Sequence, residues 1–379
     1  MQRTLIFLIL AGATVLGFAG TDLVLPAVPQ LPRALGGSVQ QAQYVLASFT
    51  GGMAAGLLLF GALSGRASER ALIAASLTAY ALLSLLCAVS PSLPVLIALR
   101  FGQGVASAAA GVFAPGIVRR LYGPQAVTAL GAIGAIESLA PALAPVAGWA
   151  LLGLGGWRVS FWVIAALALL LATAASGFSG WPPPPLASRG SYARLLARPA
   201  FARRALAHAA TVAALLVFVF GAPVVFTRVL GVTIGAFIAM QMAGVALFIL
   251  ASLLAGRLAR WLGTGRLIAL GAVIALAGGL GLLGYALAGG RDTVAVSAIF
   301  FLLNLGLGLR GPAGFNAALI AAKGDEARGA ALIVVAMLAL PAAGTALVAP
   351  FILQGLLPIA GAAALLATIA AAATFTRPK

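Results

Sequence analysis

Apolar residues run through this chain in blocks of about twenty, separated by short intervals that carry glycine, arginine or proline. A helix needs about 20 such residues to cross a bilayer's hydrocarbon. Twelve blocks serve, at approximately 4–31, 40–63, 71–90, 95–118, 126–153, 159–178, 205–227, 234–256, 267–288, 294–321, 329–355 and 358–375. Each predicts a membrane-spanning α-helix, because backbone polar groups in lipid must be satisfied within the segment. The longest polar interval, 179–204, holds WPPPP (181–185) and then Arg189, Arg194, Arg198, Arg203 and Arg204. Such a proline-rich, basic stretch reads as a linker. The expected architecture is therefore all-α and integral to the membrane: a six-helix bundle over 1–178, the linker 179–204, and a second six-helix bundle over 205–379.

The two halves repeat. RALGGS (33–38) recurs as RVLGVT (228–233) at an offset of 195, and GALSGR (61–66) meets GRLARW (256–261) at the same offset. FGQGVAS (101–107) lines up with LGLGLRG (305–311) at an offset of 204. Order is kept while identity is weak, as in transporters built from parallel repeats. Ser38 with Gln41 fits a capping box and marks the start of the second helix. The opening MQRTLIFLILAGATVLGFAG has the basic tip and apolar run of a signal peptide. Its apolar pattern continues to Pro29, and the repeat needs it, so it is expected as the first helix.

Composition agrees with this environment: 63% of residues are apolar, 8% are charged, and the mean hydropathy is +1.14. A net charge of +17 would suggest nucleic acid in a soluble chain. Here the 23 Lys and Arg residues sit between spans: Arg33, Arg158, Arg228 and Arg291 on one face, Arg100 and Arg310 within spans, and the other 17 on the opposite face. That is the positive-inside bias, which puts both termini in the cytoplasm and excludes nucleic acid as the partner. The partners expected instead are the lipid bilayer, protons and a small-molecule substrate. A lone cysteine, Cys87, forms no intramolecular disulfide. With a single histidine, His208, expected at the interface, no metal site or cofactor is called for.

Candidate chemistry lies in the few polar residues inside spans. Glu137 sits in GAIGAIESLAPALAPVAGW (131–149), where a charge costs ~3 kcal/mol at a helix centre. On a 3.6-residue helix it shares a side with Pro141, Pro145 and Gly148, a polar, proline-notched face suited to lining a cavity. Asp22 lies in TDLVLPAVPQLP (21–32), on one helical face with Pro26 and Pro29. Arg100, early in the fourth span, lies at a similar depth and needs a carboxylate or several carbonyls. Asp22 is the expected partner in at least one conformational state, the alternative being a static pair that fixes packing. Of six acids, Glu69, Asp325 and Glu326 are assigned to loops on the basic face and Asp292 to an outer loop, leaving Asp22 and Glu137 within the membrane. A carboxyl shielded from water can be loaded with a proton from one side and emptied to the other, and an approaching guanidinium drives that proton off. In the second half, Gln241 lies in the eighth span and Asn304, Arg310 and Asn316 in the tenth. These last three do not share one helix face. Phe220, with Phe218 and Phe226 near it, is either pocket wall or bundle packing.

These residues resemble a known family. GALSGRASER (61–70) is similar to the loop between the second and third helices of the major facilitator superfamily, G-x-L-x-D-R-x-G-R-R. Gly61, Leu63, Arg66 and Arg70 match, whereas Gly65 replaces the Asp that helps latch the cytoplasmic side. ALRFGQGV (98–105) resembles the fourth-helix pattern through Arg100, Gln103 and Gly104. APALAPVAGWALLGLGGWRVSFW (140–162) resembles the fifth-helix motif of the drug:proton antiporters. TDLVLPAVP, ARPAFARRAL (197–206), FGAPVVFTRVLGV (220–232) and the closing RPK resemble the bicyclomycin and chloramphenicol resistance (Bcr/CflA) branch. The resemblance implies two six-helix bundles related by a pseudo-two-fold axis, a central cavity, and proton-driven alternating access in the bacterial inner membrane. It further implies a non-enzymatic exporter for which a monomer suffices. Glu137 is not part of that branch pattern; by the elimination above, Asp22 and Glu137 are expected to carry protons and Arg100 to respond to them. Gln103, Gln241, Asn304, Arg310, Asn316 and Phe220 would line the substrate cavity, and Gly61, Arg66, Arg70, Pro141, Pro145 and Gly148 would serve gating. The alternatives are an uptake symporter and a non-transporting receptor on the same scaffold.

Overall fold

A computed structural model describes residues 2–178, 180–183 and 190–376; Arg189, the last two prolines of WPPPP and the closing RPK lie outside the described residues. The helices are α1 (Gln2–Asp22), α2 (Val39–Leu63), α3 (Glu69–Ala88), α4 (Leu93–Ser107), α5 (Ala109–Tyr122), α6 (Ala126–Gly155) and α7 (Arg158–Gly177). They continue as α8 (Pro199–Val224), α9 (Ile234–Leu262), α10 (Thr264–Leu287), α11 (Thr293–Ala321), α12 (Glu326–Val348) and α13 (Leu357–Phe375). The fourth expected span is α4 followed by α5, with a break at Ala108. Among the described residues eleven stretches are long and apolar enough to cross a membrane, and Leu143–Gly155 is a shorter apolar helix. The Leu93–Pro141 stretch runs through the fourth span into the fifth, which accounts for the twelfth rod.

Proline sets where several rods stop being regular. The first span continues beyond Asp22 only as a 3-10 turn, Leu25–Gln30, since Pro26 and Pro29 supply no backbone N–H. Asp22 is thus the last residue of α1, and the continuous α-helical face expected for Asp22, Pro26 and Pro29 does not form. After Pro223, α8 likewise passes into a π-helical turn, Val225–Val229. Pro141 and Pro145, by contrast, both stay inside α6.

The chain forms two compact units. One comprises Met1–Leu121, Ile136–Ser191 and Gly324–Ala331; the other comprises Tyr122–Ala135, Tyr192–Lys323 and Leu332–Lys379. In the first, α2 packs on α4, and α3 on α4 and α7; in the second, α9 packs on α11, and α10 on α11 and α13. Helices in lipid gain little from apolar burial against one another, so close packing through small residues takes over. Gly104 of α4 lies against the Phe49 carbonyl of α2 with no room for a Cβ. At the repeat offset, a Cβ on Gly308 of α11 would come 2.6 Å from Ala251 Cβ and 2.8 Å from the Phe248 carbonyl of α9. The turns repeat as well. Gly36 and Gly231 hold φ of 74° and 71°, and Ser38 and Thr233, two residues on, are the N-caps of α2 and α9. Ser38 and Gln41 form the full capping box.

Candidate functional site

In the first unit Arg100 is fully buried on α4. Its Nε donates to the Val45 carbonyl (3.1 Å) and its Nη1 to Gln103 Oε1 (2.5 Å), while Gln103 Nε2 donates to Ser84 Oγ (2.6 Å) and Ser84 to the Tyr80 carbonyl (2.6 Å). The guanidinium carbon lies 4.2 Å from the centre of the Phe49 ring, a cation–π contact. Nη2 is buried without a hydrogen-bond partner. Among the described residues no ion pair joins Arg100 to an acid, Asp22 included. The reason is steric: α1 reaches this region through Gly20, which packs on the Tyr80 hydroxyl and the Phe49 ring. An aromatic layer thus takes the place expected for a carboxylate.

Glu137 lies about 17 Å along α6, near mid-length, partly buried. The side chain of Thr14 of α1 lies beside its carboxyl. Thr14, 5% exposed, donates its hydroxyl hydrogen to the Ala11 carbonyl at 3.1 Å. Along the same side of α6, Pro141 is exposed, Pro145 partly buried, and Gly148 buried against the backbone of Leu23. The Leu23 carbonyl, released where α1 stops, accepts from Ser160 of α7 (3.2 Å). Asp22 is partly buried and enters none of the ion pairs among the described residues.

Two of the acids assigned to loops are helical, while Asp325 and Asp292 stand just before helix starts. Glu69 and Glu326 are the first residues of α3 and α12, 8% and 9% exposed, where a carboxylate also meets the positive end of the helix dipole. Arg120 donates to Glu69 and Arg119 to Glu326, and Arg120 Nη1 stands 3.8 Å from Glu326 Oε2. Arg328 donates to Asp325 (2.7 Å) and to the Ala62 carbonyl (3.3 Å). Of the loop motif, Gly61 is buried at the end of α2, Gly65 turns the chain with φ of 79°, and Arg66 is exposed. Arg70 donates from Nε to the Ala175 carbonyl (3.1 Å) and from Nη2 to that of Ser176, tying α3 to the end of α7. This carboxylate–guanidinium cluster is the part of the molecule that sequence reading missed. Its one signal was an acid at the first position of two helices.

In the second unit the four polar candidates are dispersed. Asn304 donates to the Phe300 carbonyl of its own helix (3.2 Å) and packs against Gly244 of α9. Gln241 and Asn316 each leave a buried amide oxygen without a hydrogen-bond partner. Arg310, 1% exposed, donates through Nη1 to the Ala207 carbonyl (2.8 Å) and Thr211, and through Nη2 to Thr374 (3.2 Å). It borders a cavity of about 450 Å³ inside this unit. His208, expected at an interface, is 5% exposed and packs edge-on to Phe315, centroids 5.4 Å apart. Phe218 stacks on Phe300 (5.1 Å) and Phe226 sits edge-on to Phe237, both in the core; Phe220 is 52% exposed.

Two units with matching helix pairings, each burying an arginine within a span, define a multi-span helical membrane protein. The chain belongs to the Major Facilitator Superfamily, whose family profile matches residues 10–343. A chloramphenicol resistance protein of Pseudomonas aeruginosa is 33% identical over 179 residues, 46% of this chain and 42% of that protein. A bicyclomycin resistance protein homolog of Haemophilus influenzae is 30% identical over 173 residues, 45% and 44% of the two chains. The chain thus spans just under half the length of these curated relatives. The outward-conformation crystal structure of FucP superposes with a TM-score of 0.74 over 98% of this chain and 99% of that one; at 18% identity this shows the fold alone.

Proposed function

We propose that the protein exports a small organic compound in exchange for protons by alternating access in a bacterial inner membrane, with both termini cytoplasmic. The observation that carries the proton-coupled reading is the distribution of the six acids. Glu69, Asp325 and Glu326 are held in ion pairs, and Asp292 caps α11 by accepting from Val294 and Ala295. Asp22 and Glu137 are left with no cation beside them, inside segments that span the membrane. Such a carboxyl exchanges its proton with whichever compartment reaches it. Arg100 keeps a free Nη2 for a carboxylate that approaches in another state. Export and an organic substrate are supported by the similarity to the chloramphenicol and bicyclomycin resistance proteins and by the fifth-helix motif. The second reading, uptake, is favoured by one fact: a solved relative in fold is titled a fucose:proton symporter of E. coli.

The test is proton release from the purified protein in detergent on adding a panel of candidate compounds. We expect release that disappears with Glu137→Gln and falls with Asp22→Asn; release unchanged in both variants refutes the assignment. Accumulation in inverted rather than right-side-out vesicles separates export from uptake.

A further inference from the structure

The structure assigns a phosphate-binding site to the cavity of the second unit, and we infer that its occupant is the headgroup of an anionic phospholipid. The cavity gathers Arg203, Arg204, Arg310, Thr264 and Thr374. Arg310 and Arg203 each leave a buried Nε–H without a hydrogen-bond partner. Arg310 is satisfied elsewhere only by neutral oxygens, those of Ala207, Thr211 and Thr374. A second, independent feature is the N-terminus of α10: Thr264 and Gly265 line the cavity, and the helix starts from Gly263 with no side-chain cap. Free N–H groups at a helix start, next to guanidinium donors, form a site for an anion.

Among the described residues of the second unit the sole acid is Asp292, which caps the far end of α11, about 27 Å along the helix from Arg310. A buried guanidinium without a counter-charge is costly, so a bound anion is the natural complement. The rim argues for lipid over a free ion: Ile320 and Phe375 border the cavity and are 51% and 54% exposed, a surface for acyl chain beside a basic pocket. The ends of α8, α10, α11 and α13 that meet here lie on the face richer in Lys and Arg, the side of the anionic leaflet in the proposed orientation. The inference does not depend on the direction of transport or on protons.

The experiment is native mass spectrometry and thermal unfolding of the full chain in detergent, with phosphatidylglycerol, phosphatidylcholine or inorganic phosphate added. We expect selective retention of phosphatidylglycerol and a rise in Tm that phosphatidylcholine does not give. Affinity should fall about tenfold or more in R203Q/R204Q, whose side chains are not fully buried, and in R310Q. Equal retention of the two lipids, or undiminished phosphatidylglycerol binding in R203Q/R204Q, overturns the site. Inorganic phosphate giving the full stabilisation without lipid overturns the lipid assignment.

Discussion

Both units bury an arginine almost completely, yet the two arginines live in opposite surroundings. Arg100 is enclosed: the Phe49 ring covers it, and Gln103 is turned toward it by Ser84. Arg310 opens on a cavity, and the hydroxyls it uses are already engaged, Thr211 donating to Ala207 (2.8 Å) and Thr374 to Ala370 (2.7 Å). They are not repeat mates. At an offset of 204 the counterpart of Arg100 is Asn304, and at 195 the counterpart of Phe49 is Gly244, which packs against that Asn304. At these positions the second unit has the helix contact but neither the cation nor its aromatic cover. The repeat therefore extends to what the backbone needs and not to this side-chain chemistry.

The widest gap should appear on removing each cation. Arg100→Ala takes away two charge-assisted hydrogen bonds and a cation–π contact and strands the Gln103 amide, a loss of roughly 4 kcal/mol. Arg310→Ala leaves acceptors with partners of their own and a space water can enter, a loss of about 1 kcal/mol. Thermal unfolding of both variants in one detergent checks the order; equal losses would erase the distinction between an enclosed and an open arginine. Next comes the preserved contact. Gly104→Ala drives a methyl into the Phe49 carbonyl, and Gly308→Ala brings one to 2.6 Å from the Ala251 Cβ and 2.8 Å from the Phe248 carbonyl. Overpacking of this kind costs ~1–3 kcal/mol, so both variants should lose stability, the Gly104 variant more. Expression and unfolding midpoints measure the pair.

What the sequence disclosed and what it hid divide along the same line. Glycine at 36 and 231 and a capping residue two positions later are local requirements of a turn, and they were legible as a repeat. The twelve rods were legible because lipid forces each apolar block into a helix. The pairing of Asp22 with Arg100 in some conformational state rests on depth alone, and depth says nothing of what stands between two helices in this one. Gly20 lets Tyr80 and Phe49 fill that space, a fact visible only once α1, α2 and α3 are packed. Glu69 and Glu326 were set aside because polar positions at span ends look solvated; their arginine partners come from α5, 51 and 207 residues away in sequence. His208 sat near the start of a span, and only the packing of α8 on α11 shows that it is enclosed.

The finest probe of the comparison is the ring itself. Phe49→Leu keeps most of the apolar volume beside Gly20 and Tyr80 but removes the π face from Arg100, which should cost about 1 kcal/mol in a desolvated site. That value is close to what a changed side-chain shape costs in any core, so the single variant is not decisive. The decisive quantity is the coupling: Phe49→Leu made in an Arg100→Gln background should cost about 1 kcal/mol less than in the native chain. Four unfolding measurements close the cycle. Zero coupling would reduce Phe49 to a spacer between α1 and α4, and Gly244 would then differ from it only in size. A coupling near the expected value makes the ring the device that lets this unit keep a cation where the other keeps an asparagine.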